Sequence, residues 1–279
     1  MVNNDCKICV TNNQEWLLAI LMKVLEDFIL ESVLITGCNQ GIGLQFVKHF
    51  IAANKISETK MQIFATSREM SSDLKNLLQF EQNVHHVNLD ICKPDQVKEA
   101  VLKVSQILGG KGLNLLINNA ATMSYNKPAG VEDCLPEELT DVFNVNVSGT
   151  HSVTMAFHPL LKLSASQRSH LPMCCAKGAV LNLSSEVASI ENTDRAYAVS
   201  YKVSKSALNM LTKIMALEFA KDGIICMAVH PCWMQKDSTG NAPVITVPES
   251  VTDMAYLIKN AKEENNGQFI RKDFSLHPY

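Results

Sequence analysis

The feature that most constrains this chain is an alternation of short, β-rich apolar runs with longer helical ones, running from Ser32 onward. Strands are read at Val33–Thr36, Met61–Thr66, Val84–Leu89, Leu113–Asn118, Ala179–Ser184, Ile224–Val229 and Gln268–Ile270. Helical stretches between them include Leu44–Ala53, Asp95–Leu108, Glu137–Leu163, Tyr197–Asp222 and Glu249–Ala261. Such alternation needs crossover connections, which place parallel strands in one sheet with helices on both faces. The expected fold is α/β: one doubly wound domain over residues 32–279, with residues 1–31 as an N-terminal, helical appendage.

Composition narrows what this domain can serve. Hydrophobic residues make up 47% of the 279 residues, enough for a sizeable core. A net charge of −3 with scattered lysines forms no basic stripe, so a nucleic-acid partner is not expected. The nine cysteines have irregular spacing and read as free thiols rather than a disulfide framework. The sequons at Asn146 and Asn182 fall in apolar segments that leave no room for a glycan, so a cytoplasmic setting is expected. Cys6 and Cys9 form a single pair, short of the four ligands a structural zinc site needs, and no metal is expected. Trp16–Leu30 is the most apolar segment, yet it is shorter than the ~20 residues of a spanning helix. Lys23, Glu26 and Asp27 fall on one side of it at helical spacing. It reads as an amphipathic helix docked on the body or a partner, with membrane-surface contact as the alternative, and not as a secretory signal.

"TGCNQGIG", Thr36 to Gly43, places three glycines between the first strand and the first helix. At that junction the backbone N–H groups and the positive helix end are suited to phosphate. The G-x-x-x-G-x-G spacing, in this strand–turn–helix setting, points to a dinucleotide pyrophosphate. Far down the chain, "YKVSK" sets Tyr201 and Lys205 four residues apart, on one face of a helix. A phenol titrates near pH ~10, and lowering that by about three units takes ~4 kcal/mol. A cation at ~4 Å in an effective dielectric of ~20 supplies a similar amount. Tyr197 lacks a lysine four residues on, so Tyr201 is the better proton donor.

"TGCNQGIG", "NLD", "NNAA", "NVNVSG", "LNLSS", "YKVSK" and "HPCW" together resemble, in order and spacing, the short-chain dehydrogenase/reductase family over Ser32 to Tyr279. Within it the chain is most similar to the sniffer-like and C-factor-like carbonyl reductases. The resemblance implies a Rossmann-type sheet, a nicotinamide dinucleotide, and reduction of a small carbonyl to an alcohol. It implies Tyr201 as general acid, Lys205 as the group that depresses its pKa and holds the nicotinamide ribose, and Ser185 as the substrate-oxygen ligand. Asn146 would support a water relay to the lysine; Asn144 is the competing choice. For the dinucleotide it implies Thr36, Gly37, Asn39, Gln40, Gly41, Ile42 and Gly43 at the pyrophosphate turn, and Asp90 and Ile91 at the adenine. Asn119 and Ala120 would lie by the ribose, and Pro231 and Met234 by the nicotinamide. A homodimer is favoured by the same resemblance. His85 and His86 alternate across a strand and are given no role; Cys38 in the glycine loop is a candidate oxidant-sensitive thiol.

Ser67 and Arg68 stand at the end of the second strand, where an acidic residue would favour a free 2′-hydroxyl. Guanidinium grips phosphate through charge-assisted hydrogen bonds, so NADPH is expected over NADH, although Gln40 supplies no basic group in the glycine loop. Ala121 replaces the glycine of the family's "NNAG", a modest change, and two positions depart at the nicotinamide end: Cys232 replaces the glycine of "HPGW", and Lys236 replaces a threonine near the nicotinamide amide. They keep open a second reading, a catalytically weak dinucleotide-binding regulatory protein.

Overall fold

The computed structural model describes residues 30–123, 130–231, 245–271 and 273–279. The segment from Trp16 to residue 29, together with Cys6, Cys9, Cys232, Met234 and Lys236, lies outside the described residues.

Seven strands form one parallel sheet: β1 Ser32–Ile35, β2 Gln62–Ser67, β3 Val84–Asn88, β4 Leu115–Asn118, β5 Ala179–Leu183, β6 Ile225–His230 and β7 Phe269–Arg271. Their order across the sheet is β3-β2-β1-β4-β5-β6-β7. Every residue of β1, β4, β5 and β6 is buried, because helices cover both faces of a parallel sheet. The helices are α1 Gly41–Ile56, α2 Ser72–Phe80, α3 Pro94–Leu108, α4 Pro136–Phe143, α5 Thr150–Gln167, α6 Val199–Phe219 and α7 Val247–Asn260. The doubly wound, Rossmann-like architecture read from the alternation is the one observed.

Strand alternation divides the core in two. Val33 and Ile35 of β1 pack with Phe46 and Phe50 of α1 and Met254 and Leu257 of α7. Leu34, between them, points to the opposite face, where Val104 of α3, Phe157 of α5 and Phe219 of α6 gather. At its N-terminal end β1 is pinned by Asn114, whose Oδ1 accepts from the Ser32 amide at 3.0 Å and the Ser32 hydroxyl at 2.9 Å. Glu31 pairs with Arg168 at 2.8 Å and Lys111 at 2.9 Å, and Leu30 is already buried.

Three local features differ from the sequence expectation. The run Glu137–Leu163 is not one α-helix: a π-helical turn, Asn144–Gly149, separates α4 from α5. Gly149 fits there because a Cβ would stand 2.9 Å from Ile91 Cγ1, so the turn packs directly on the Asp90–Ile91 loop. The helix expected from Tyr197 begins at Val199, since Ala198 adopts left-handed backbone angles (φ 50, ψ 46). α7 begins at Val247 rather than Glu249 because Thr246 and Glu249 form a reciprocal capping box. Among the described residues no helix is long and apolar enough to cross a membrane.

Candidate active site

The strand order reverses between β1 and β4, and the glycine loop leaves the sheet at that point. Gly37 has φ 73, which an L side chain rarely adopts, and it makes the turn out of β1. Gly43 sits so close beneath it that a Cβ would lie 2.3 Å from the Gly37 oxygen. Thr36 and Asn119 stitch the two strand ends together. Thr36 Oγ1 accepts from the amides of Asn119 at 3.0 Å and Ala120 at 2.9 Å. Asn119 Nδ2 donates to the Thr36 and Gly37 carbonyls at 2.7 and 3.0 Å. Its amide therefore braces the loop, while Ala120 follows it at the strand end.

α1 starts at this loop with Gln40 as an extended N-cap, no side-chain cap and no acidic residue in the first turn. Gln40 and Gly41 are exposed, Asn39 and Ile42 half-buried, and nothing lies within 4 Å of where a Gly41 Cβ would project. An uncapped helix start with amides facing outward fits a phosphate group. Cys38 does not behave as a redox sensor would. It is fully buried, its thiol donates to the Ile35 carbonyl at 3.1 Å, and burial pushes its pKa up to about 12. A thiol of that kind is inert at neutral pH, which corrects the sequence reading.

Beyond β2, Arg68 is exposed, while Ser67 is buried with its Oγ 2.9 Å from His86 Nε2. His86, given no role from sequence, thus supports the residue just behind Arg68, and Lys103 holds the His86 carbonyl at 2.8 Å. Asp90 is half-buried: its carboxylate accepts from the Cys92 amide at 3.0 Å and its own amide donates to Gln96 Oε1 at 2.7 Å. The charges of Asp90 and Arg68 both act on the Cys92 thiol, in opposite directions, so they share one end of the sheet.

At the other half of the sheet, β5 ends in two serines with opposite destinations. Ser184 turns inward and donates to Asn209 Oδ1 at 2.6 Å. Ser185, in extended conformation, carries the side-chain hydrogen bond to the Tyr201 phenol. Lys205, one turn along α6 from Tyr201, is only 3% exposed. Its Nζ donates to the Leu183 carbonyl at 2.6 Å and stands 5.6 Å from the Tyr201 ring centroid. Tyr197 precedes the helix and lies under the Lys202 ammonium instead, at 4.5 Å.

Asn146 is buried within the π-helical turn, whereas Asn144 is exposed. Its Oδ1 accepts from the Thr122 amide at 2.8 Å, and its Nδ2 donates to the Thr122 carbonyl at 2.9 Å and to Ser204 Oγ at 3.0 Å. Ser204 and Thr122 were not singled out from sequence; Ser204's position three residues after Tyr201, on the same helix face, was the available signal. Pro231 is buried at the end of β6, with its carbonyl accepting from Ser250 Oγ.

The electrostatics modify one sequence expectation. Burial pushes the Tyr201 phenol up to about 12, with the Ser185 hydrogen bond acting in the opposite direction. Desolvation penalises the phenolate, and that effect outweighs the Ser185 hydrogen bond.

Comparison with known proteins agrees with this fold. The family profile described as short chain dehydrogenase matches residues 31–243. The carbonyl reductase Sniffer of Drosophila melanogaster superposes with a TM-score of 0.84 at 30% identity, covering 90% of this chain and 100% of that one. An NADPH-bound carbonyl reductase from chicken fatty liver gives a TM-score of 0.80 at 32% identity, covering 90% of this chain and 99% of that one. An uncharacterized oxidoreductase of Schizosaccharomyces pombe is 28% identical over 268 residues, covering 88% of this chain and 96% of the relative.

Proposed function

The chain belongs to the short-chain dehydrogenase family of oxidoreductases, and on that premise we propose that it reduces a small aldehyde, ketone or quinone carbonyl with NADPH. The single observation that carries this reading is the convergence of Ser185, Tyr201 and Lys205 just beyond the end of β5.

The residues at the switch point fit a dinucleotide. The uncapped start of α1 would take the pyrophosphate, with Thr36, Gly37, Asn39, Gln40, Gly41, Ile42 and Gly43 forming the turn. Asp90 and Ile91 would meet the adenine, Asn119 and Ala120 the ribose side, Pro231 the nicotinamide end, and Arg68 a 2′-phosphate. The likeness to an NADPH-bound carbonyl reductase supports the phosphorylated cofactor. When bound, the reduced nicotinamide supplies a hydride.

The chain's own groups would do the rest. The Ser185 hydroxyl holds the carbonyl oxygen beside the Tyr201 phenol. The phenol gives up its proton as negative charge develops on that oxygen, which is general acid catalysis. A phenol held near 12 stays protonated across the neutral range, and that is the form reduction consumes. The buried Lys205 ammonium stabilises the phenolate left behind, and Asn146 holds the wall of the site through Thr122 and Ser204.

The alternative, a binder with little turnover, rests on Cys232 and Lys236, which lie outside the described residues; the intact Ser185–Tyr201–Lys205 cluster favours the enzyme. The assembly proposed is a homodimer, and the setting cytoplasmic. The test is loss of reduced-nicotinamide absorbance with a panel of reactive aldehydes, ketones and quinones. Turnover dependent on substrate and faster with NADPH than NADH is expected; dinucleotide binding without turnover on any member would favour the alternative.

A further inference from the structure

His230 is the last residue of β6 and is only 6% exposed. Its ring does not pack passively. Nδ1 accepts a hydrogen bond from the Glu186 backbone amide at 3.0 Å. The acceptor nitrogen carries no proton, so the proton sits on Nε2, which faces Glu186 Oε2 at 3.5 Å. Glu186 directly follows Ser185 and opens the short 3-10 turn Glu186–Ala188. The first amides of such a turn have no partner within it. His230 satisfies that amide and thereby fixes the peptide on the C-terminal side of Ser185, while the Ala188 amide closes on the Ser185 carbonyl at 2.9 Å. On its own C-terminal side His230 leads into Pro231, whose carbonyl is held by Ser250 of α7.

The same loop is also held by the C-terminus. The Glu191 amide donates to the Tyr279 carbonyl at 3.1 Å, and Tyr279 Oη donates to the Gly267 carbonyl at 2.7 Å. His277 stacks on Phe269 at 4.6 Å and stands edge-on to His230 at 6.1 Å.

We propose, on the basis of the reductase reading above, that His230 is a positioning residue: it aims the Ser185 hydroxyl at the Tyr201 phenol by holding the Glu186 amide. It also joins the turn beyond β5 to the turn beyond β6, so that the two walls of the site move as one piece. A reacting group misplaced by ~1 Å can lose ~100-fold in rate, and a serine on a freely rotating peptide is exposed to that loss. The device requires a neutral imidazole. Burial, with the charge of Arg271 and the nearby His277, pushes its pKa down to about 4 against the opposing pull of Glu186, so the acceptor nitrogen persists through the neutral range.

The test uses His230→Leu, which removes the acceptor, and His230→Asn, whose Oδ1 takes the place of Nδ1. Hydrogen exchange is followed at the Glu186 amide in dinucleotide-free protein, alongside the NADPH dissociation constant and steady-state kcat and KM. In the Leu variant, Glu186 exchange should accelerate ~10-fold or more and kcat should fall ~10- to 100-fold, with KM and NADPH affinity within ~3-fold. The Asn variant should recover most of both. Should the Leu variant fail to fold, His230→Gln removes the acceptor at the Nδ1 position while keeping a polar side chain, and the same losses are expected. Unchanged Glu186 exchange, or Leu and Asn variants that behave alike, would overturn the inference. The exchange measurement needs no substrate, so a wild type that reduces no carbonyl would overturn the reductase reading without deciding the His230 contact.

Discussion

Asn146 Nδ2 donates to Ser204 Oγ at 3.0 Å, which ties the π-helical turn between α4 and α5 to the helix that carries Tyr201 and Lys205. A π-helical turn spreads one helical turn over more residues than α geometry does, and such turns concentrate at functional sites. Here it sets Asn146 inward and Asn144 outward, two residues apart. Replacing Asn146 by Ala would remove three hydrogen bonds at once and leave Thr122 groups unsatisfied. Asn146→Ala should lose about 2–4 kcal/mol of stability by urea unfolding, against about 1 kcal/mol for Ser204→Ala. Equal and small losses would show that the network adds nothing to the fold.

The pH dependence of reduction follows from the Tyr201 phenol. In the proposed reaction its proton is the one transferred, so activity should be present below its pKa and lost as pH rises through it. Burial pushes that pKa up to about 12. The kcat/KM for carbonyl reduction should therefore show no alkaline limb up to about pH 9, about one unit below an ordinary phenol. A limb between about pH 7 and 8 would mean that a group with a depressed pKa is the acid.

Arg68 is the residue proposed to carry the choice of cofactor. It is the exposed cation at the end of β2, backed by the Ser67–His86 hydrogen bond. Arg68→Ala should weaken NADPH about 10- to 100-fold, as loss of charge-assisted hydrogen bonds implies, and leave NADH nearly unchanged. Dissociation constants for both dinucleotides decide it. Parallel losses, or none, would remove Arg68 from the cofactor site.

Ala198 holds φ 50 immediately before α6 and is buried. A left-handed alanine costs roughly 1–2 kcal/mol that glycine avoids, offset by about 0.5–1 kcal/mol of glycine's chain entropy and the buried methyl's ~0.8 kcal/mol. Ala198→Gly should accordingly lie within about 0.5 kcal/mol of wild type, whereas a β-branched valine should cost about 2 kcal/mol or more. Denaturant midpoints for the two variants test this, and a well-tolerated valine would contradict it.

Much of this arrangement was legible because it depends on local spacing. The glycine loop, the Tyr201–Lys205 pair one turn apart and the alternation of Ser184 and Ser185 each follow from short-range geometry, and the sheet follows from strand–helix alternation. What stayed hidden depends on contacts between distant segments. Ser67 meets His86 only because β2 and β3 pair in register, with Ser67 opposite Asn88. His230 meets Glu186 only because β5 and β6 end side by side. Asn119 braces the glycine loop through its side-chain amide only because β1 and β4 lie adjacent. The raised Tyr201 pKa depends on distant contacts in the same way: a charge four residues away is visible in sequence, whereas burial by the rest of the fold is not.

The central claim is that Tyr201 delivers the proton, with Ser185 and Lys205 beside it. Tyr201→Phe removes only the phenolic oxygen, so the NADPH dissociation constant and the reduction rate should separate. The expected result is NADPH affinity within about 3-fold of wild type and kcat reduced by about 100-fold or more, in line with the loss of a general acid. A Phe variant that keeps more than about a tenth of wild-type kcat, with NADPH affinity intact, would contradict the assignment.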